Sequence, residues 1–321
     1  MFYRGQNIPY IVDAKIYVHS TDSSNQEVEL IIVTQDQFSI GLTPNISSAN
    51  KFALRVFDKN AFGTGSEISY SLIYEKDTVP EYGTNLFYSI NNIGGTFTNA
   101  RISYTNTPSK EAFILEADKQ FITPQTKLGG GIFASKKSDH WFIINTDTSL
   151  FIPYSGAFVD VWAGYSPQLF TPKSRKQLVI AGRYDYESYL KKPLVDADSN
   201  QQFANSKLLL AALSFRKINY IKSKLLVGFG RTEDVPIGQL LSITSGYKFT
   251  ELGDYPYVGI GFGFSRSTPF GLIGAKFDFG GFINYDEQLL NDGAFAAKII
   301  YYAPLHPIGR FSIRNSLKLS F

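Results

Sequence analysis

The chain has no cysteine, one methionine, only three histidines, and no apolar run long enough to cross a bilayer as a helix. Without cysteine there is no disulfide or thiolate chemistry, and the redox compartment is left unmarked. The longest apolar stretch, near residues 208–213, falls far short of the ~20 residues a spanning helix needs. Charge is scarce as well: 18% of residues are Asp, Glu, Lys or Arg, against about 25% in an ordinary soluble domain. The formal net charge of +3 is too small to mark a nucleic-acid partner. His19, His140 and His306 lie far apart and match no metal-ligand spacing. No nucleophile elbow or Ser-His-Asp order is present. The run Gly259-Ile260-Gly261-Phe262-Gly263-Phe264 lacks the strand–turn–helix setting of a phosphate loop and fits a strand with one bare face. The sequence therefore points to no catalytic residues, no cofactor and no metal. Met1 is followed by Phe2, Tyr3, Arg4 and Gly5, without the basic segment and apolar core of a secretory leader. An exported form of this chain is expected to have a leader that lies upstream or has been removed.

What is abundant is aromatic and alternating. Phe and Tyr number 27 and 20, and the mean hydropathy is only −0.09. In 66–74, Ile68, Tyr70, Leu72 and Tyr74 alternate with Glu67, Ser69, Ser71 and Ile73. In 177–187, Leu178, Ile180, Tyr184 and Tyr186 alternate with Val179, Arg183, Asp185 and Glu187. The last stretch sets Phe311, Ile313, Leu317, Leu319 and Phe321 against Ser312, Arg314, Ser316, Lys318 and Ser320. Period two places one set of side chains on each face of a strand. After residue 36, about 16 such segments of about 8–13 residues can be marked, and no 3.6-residue pattern runs beyond two turns. Their expected starts are Asp36, Phe52, Ser66, Thr84, Thr98, Glu111, Lys127, Ala157, Gln177, Lys207, Ser223, Gly238, Tyr255, Gly271, Gly293 and Arg310. Strands of about 9–11 residues suit a membrane, whereas soluble strands average ~5–6.

The expected architecture is an all-β, antiparallel transmembrane β-barrel over residues 37–321, since closure removes the edges of a large sheet and lipid demands that every backbone amide be paired. Residues 1–36 form a separate hairpin, with Val12, Ala14, Ile16 and Val18 facing Val28, Leu30 and Ile32 across the polar run 19–26. Connectors are expected to alternate between short turns, such as Gly94-Gly95, and longer polar loops, such as 191–206. The segment 138–155 reads as a loop or a strand extension. Trp141, Trp162, Tyr154 and Tyr165 mark either an interface girdle or a packed cluster. Glu116, Asp118, Arg183, Asp185, Arg216, Lys276 and Asp278 alternate with apolar residues and are expected to line the lumen, as a neutralised wet interior or as a selectivity lining.

Several segments resemble a known family. The stretch from Pro9 to Val18, followed by Val28-Glu29-Leu30-Ile31-Ile32-Val33-Thr34-Gln35-Asp36-Gln37-Phe38-Ser39-Ile40, is similar to the end of a periplasmic POTRA module running into a first barrel strand. Asp58-Lys59-Asn60-Ala61-Phe62-Gly63-Thr64-Gly65 resembles the Asn-x-x-Gly-Thr-Gly turn after the second strand. Gly94-Gly95-Thr96-Phe97-Thr98-Asn99-Ala100 and Gln120-Phe121-Ile122-Thr123-Pro124 sit where the next periplasmic turns belong. Together they resemble the BamA/TamA/FhaC-like outer-membrane superfamily, of bacterial surface-antigen type, in a Bacteroidota-like form. The likeness covers about residues 9–130; beyond that it is a shared strand rhythm. Two features depart from the family. Its Arg-Gly-Phe/Tyr lumen-loop triplet is missing, Arg4-Gly5-Gln6 being outside the barrel, and only two strands of a POTRA module are present. The chain is then expected to be a fragment or a degenerate relative.

The resemblance implies an outer-membrane location and insertion, assembly or translocation of other polypeptides. The partners implied are the lipid bilayer, unfolded outer-membrane or secreted polypeptides, and periplasmic or lipoprotein components, with no nucleic acid. The physical device is a weak lateral seam between Phe38, Ile40 and Leu42 on the first strand and Phe311, Ile313, Leu317, Leu319 and Phe321 on the last. Pro44 weakens it, because Pro offers no N–H. The alternatives are a passive porin-like diffusion channel or structural barrel, and a soluble β-sandwich or repeat-like binding protein.

Overall fold

The computed structural model describes residues 11–20, 28–36, 38–144, 149–196, 199–226, 232–284 and 289–321. Among them there is no α-helix, only strands and three short 3-10 turns. A first hairpin joins β1 (Ile11–Ser20) to β2 (Val28–Asp36), with Ile16 opposite Ile32 and Val18 opposite Leu30. Arg4, Gly5, Gln6, Pro9 and most of the 19–26 connector lie outside the described residues.

The large sheet begins with six strands of near-membrane length: β3 (Ile40–Ser48), β4 (Lys51–Ala61), β5 (Ser66–Glu75), β6 (Tyr82–Ile90), β7 (Thr98–Asn106) and β8 (Glu111–Lys119). Longer strands follow: β9 (Leu128–Ile144), β10 (Ser149–Tyr165), β11 (Lys176–Lys191), β12 (Ser206–Lys224), β13 (Thr232–Thr250), β14 (Gly253–Thr268), β15 (Gly271–Asn284) and β16 (Leu289–Tyr302). The chain ends with a small hairpin, β17 (His306–Ile308) and β18 (Phe311–Ile313), and then β19 (Ser316–Ser320). Strands β3 to β16 and then β19 pair in sequence order as one antiparallel meander of 15 strands. The fold class is all-β and antiparallel as expected, with one strand fewer than the sequence rhythm marks. The segment expected at Ser223 is the end of β12, and the one expected at Arg310 is split between β18 and β19. The stretch 138–155 belongs to β9 and β10 wherever it is described.

The end of the sheet at which β3 begins, called the near end here, carries the connectors 62–65, 91–97, 120–127, 166–175 and 269–270, and residues 225–226 after β12. The three turns that carry the sequence resemblance all lie there. Two-residue turns occur at both ends, at 269–270 and at 49–50, so the expected division into a short-turn end and a long-loop end is not found. The polar loop 192–205 is at the far end, between β11 and β12.

At the near end the β12–β13 ribbon outgrows the sheet. Residues 232–237 pair with β12 but not with β14, whose ladder to β13 starts at Gly238. Gly238 has φ +150°, and a Cβ there would lie 1.8 Å from the Lys217 carbonyl oxygen, so only glycine allows this departure. The freed ribbon brings Val235, with Ile221 and Ile237, onto Leu272, Ile300 and Tyr302 of β15 and β16. Arg314 Nη1 donates to the Leu225 carbonyl at 3.1 Å, tying the C-terminal connector to the tip.

Candidate functional site

Alternation sorts the sheet into two unlike faces. On one, Ile180, Leu213, Ile243, Ile260, Phe279 and Phe295 oppose one another in register across six strands. Each is 47–55% exposed, so this row has no protein layer over it. On the early strands Leu42, Val56, Tyr70 and Leu86 form a second exposed row. Phe52, Tyr74 and Tyr82 stack at its far-end margin, with ring centroids 5.0 and 5.3 Å apart. In water a patch of this extent is a liability; against hydrocarbon it is the expected surface.

The opposite face holds the charges, paired mostly across neighbouring strands: Lys51 with Glu75, Arg55 with Glu67, Arg101 with Glu116 and Arg183 with Asp160. All seven residues expected to line the lumen are on this face. Glu116 opposes Arg101 and Phe133, and Asp118 opposes Asn99 and Gly131. Asp185 opposes Asp160, which is ion-paired to Arg183, and Lys276 is ion-paired to Asp278 on its own strand. Arg216 opposes Gln177. A cavity of about 410 Å³ is lined by Lys110, Lys137, Asp160, Asp185, Glu187 and Tyr189, among others. The seven do not converge on one point; they spread along the wall, with Glu116, Arg183, Lys276 and Asp278 in ion pairs. Connectors reach over this charged face to strands beyond their own neighbours, as they would on the inner, concave side of a curved sheet.

Two connectors fold onto the concave face, and neither was evident in the sequence. At the near end, residues 120–127 place Phe121 against Trp162, with ring centroids 6.4 Å apart. Arg216, 6% exposed, donates from Nε to Gln177 Oε1 at 2.8 Å and from Nη2 to the Phe121 carbonyl. At the far end, Phe203 of the 192–205 loop is 1% exposed, with ring centroids 5.5 Å from Tyr154 and 5.6 Å from Tyr189. Lys137 Nζ sits 4.5 Å from the Phe158 ring centroid beside them. Of the four residues read as a girdle or a packed cluster, Trp162 and Tyr154 thus pack on the concave face, Tyr165 is exposed, and the Trp141 side chain lies outside the description.

The 192–205 loop is held by a clip. Lys192 Nζ donates to both Glu251 carboxylate oxygens at 2.7 and 2.6 Å, and Asn205 donates to one of them. The ammonium hydrogen-bonded to it holds the Glu251 carboxyl below the usual carboxylate range.

The seam residues lie on the terminal strands of the meander and beside them. Ile40 and Leu42 are on β3, with Phe38 just before it, and all three are exposed. Leu317 and Leu319 are on β19 and oppose Tyr301 and Ile299 of β16. Phe321 continues that ladder by two backbone hydrogen bonds with Ala297 at 2.8 and 2.9 Å, its ring 5.9 Å from that of Phe295. Phe311 and Ile313 do not belong to the last strand. They pair with Ile308 and His306 in the separate hairpin, because the chain turns at Gly309, φ +58°.

No protein-family model matches this chain, and no curated protein matches it. Among solved structures it is similar to BamA from Haemophilus ducreyi lacking POTRA domains 1–3, at 10% identity and TM-score 0.34, covering 98% of this chain and 76% of that one. It is also similar to CdiB from Acinetobacter baumannii, at 10% identity and TM-score 0.38, covering 97% of this chain and 66% of that one.

Proposed function

We propose that the sheet is the wall of an outer-membrane β-barrel and that its two terminal strands form a seam at which other polypeptides are inserted or translocated. The membrane part of this reading is supported by the two faces: rows of half-exposed Ile, Leu and Phe outside, ion-paired charges inside. Such a wall meets lipid on one side and water on the other.

The polypeptide-handling part rests on the unequal terminal strands. β3 has nine residues and β19 has five. A ladder between them is limited by the shorter strand, and Pro44 of β3, opposite Leu54 of β4, has no N–H to give to it. Backbone groups left over in hydrocarbon cost several kcal/mol each, so an arriving strand that pairs with them is held strongly. Edge addition of this kind requires no nucleotide, and the client's own folding supplies the driving force. The clients are unfolded outer-membrane or secreted chains, delivered from the near end with the help of periplasmic or lipoprotein components.

The test is reconstitution of the full chain into liposomes with an unfolded outer-membrane client, following the client's folding by its heat-resistant gel migration. Faster folding than in empty liposomes is expected. Unchanged client folding together with a large steady conductance would favour the passive diffusion channel instead, a reading supported by the charge-lined concave face. Partition of the protein into detergent-free buffer would remove both.

A further inference from the structure

Residues 120–127 connect two adjacent strands, yet three hydrogen bonds to their carbonyls come from strands further on. Arg216 on β12 donates to the Phe121 carbonyl, and Gln177 Nε2 on β11 donates to the Thr126 carbonyl at 3.0 Å. Tyr220 Oη on β12 donates to the Ile122 carbonyl at 3.4 Å; closer by, Gln168 Nε2 of the 166–175 connector donates to the Pro124 carbonyl at 3.4 Å, and the Ser166 N–H to the Lys127 carbonyl at 2.8 Å extends the β9–β10 ladder by one rung. Strands β9, β10 and β11 stand between β8 and β12. A segment that satisfies all these donors must lie across the concave side of those strands at the near end. It cannot hang outside it.

The seat beneath the segment is shaped for it. A Cβ at Gly129 or Gly164 would come within 2.7 and 3.0 Å of the Phe121 ring, so the two glycines leave the space the ring occupies. The Arg216 guanidinium lies 5.7 Å from the centroid of the same ring and bonds Gln177 as well, so Arg216 and Gln177 form one clamp. A guanidinium this buried is costly unless its donors are met. Withdrawing the Phe121 carbonyl would therefore unsettle Arg216, and losing Arg216 would free the segment.

We propose that residues 120–127 are a flap over the near mouth of the channel, pinned shut by Arg216 and Gln177, and that releasing the pin opens the channel. The inference rests on the reading of the sheet as a membrane barrel. What the pin grips is mainly backbone carbonyl. An extended polypeptide entering from the near end presents the same acceptors in series, so it competes with the flap for Arg216 and Gln177. The flap thereby couples opening to arrival of a chain.

The experiment uses the full chain in planar bilayers, with Arg216→Met removing the donors while keeping a long side chain. Single-channel conductance is expected to rise several-fold over the parent, with Arg216→Lys in between. A second readout uses the chain's natural lack of cysteine. Ser166, fully buried beside the Lys127 end of the segment, is changed to Cys. Its labelling by a water-soluble maleimide should be slow in the parent background and several-fold faster with Arg216→Met. If Arg216→Met fails to assemble, Gln177→Met and Phe121→Ala carry the same comparison. Variants that insert normally but keep parental conductance and parental labelling would overturn the flap. Failure of the membrane reading looks different: the parent itself would not enter the bilayer.

Discussion

Asn60 shows how a short motif becomes a turn. Its side-chain oxygen accepts the Gly65 N–H at 2.8 Å, its carbonyl accepts the Gly63 N–H at 2.9 Å, and Asp58 accepts its own N–H at 2.9 Å. Gly63 and Gly65 take φ +70° and +72°, where a Cβ is disfavoured. Asn60→Ala is expected to lower stability by ~1 kcal/mol, the net worth of a hydrogen bond whose donor is left part-buried. Gly65→Ala should cost a similar amount through backbone strain. Chemical unfolding in detergent micelles measures both, and a neutral Asn60→Ala would mean that the side chain does not close the turn. The motif could be read from the sequence; the bonds that explain it could not. Phe62 and Phe121 make the limit plain. Both are aromatic residues in near-end connectors, yet one is 92% exposed and the other 7%. The difference is made by Trp162, Gly164 and Arg216, far away in sequence, which local pattern does not report.

Among elements, the strands were readable wherever alternation met a turn signal and misread where alternation outran the wall. Residues 223–224 and 232–237 keep a strand pattern because they end and begin the β12–β13 ribbon, but they pair only with each other and add no stave. The C-terminal stretch keeps period two through 311–321, although Gly309 and the small hairpin break it. The far-end loop gave polarity as its only sequence signal, and its anchor, Phe203, is an apolar residue within a polar run. The anchor depends on the Glu251 clip, whose carboxyl is held low by Lys192. A lowered carboxyl contributes fully above the ordinary Glu value of ~4.3, and the contribution fades as pH falls through the lower folded value. Hydrogen exchange in residues 199–205, corrected for intrinsic rates, should therefore lose protection in the acid range while the sheet stays protected. Glu251→Gln should show weak protection at every pH. Protection that is flat with pH in the parent would show that the clip does not hold the loop. Phe203→Ala should open the same loop at neutral pH, since emptying a buried Phe site costs ~3–5 kcal/mol.

For the molecule as a whole, the sequence yields two faces but not which one is concave. Alternation is symmetric under exchange of inside and outside. The symmetry is broken by contacts that skip strands, Arg216 to Phe121 and Phe203 to Tyr154, all on the charged face. A pair of neighbouring substitutions turns this into a measurement. Ile243 lies in the middle of the exposed row, between Leu213 and Ile260, while Ser242 points the other way, opposite Ser214 and Gly261. Placing Lys at 243 puts an ammonium into hydrocarbon, at a cost of about 2–4 kcal/mol near the bilayer midplane and less toward the interfaces. At 242 the new ammonium meets the wet side with Asp278 close by, since a Cβ at Gly261 would lie 2.6 Å from Ser242 Oγ and 2.8 Å from an Asp278 carboxylate oxygen. Ser242→Lys should therefore cost far less than Ile243→Lys in lipid bilayers. In detergent-free buffer, if the protein were soluble, the order would reverse, because Lys at 243 would relieve an exposed apolar site and Lys at 242 would crowd an interior. The sign of that difference, read from unfolding titrations in bilayers of matched thickness, decides whether lipid or water covers the row from Ile180 to Phe295.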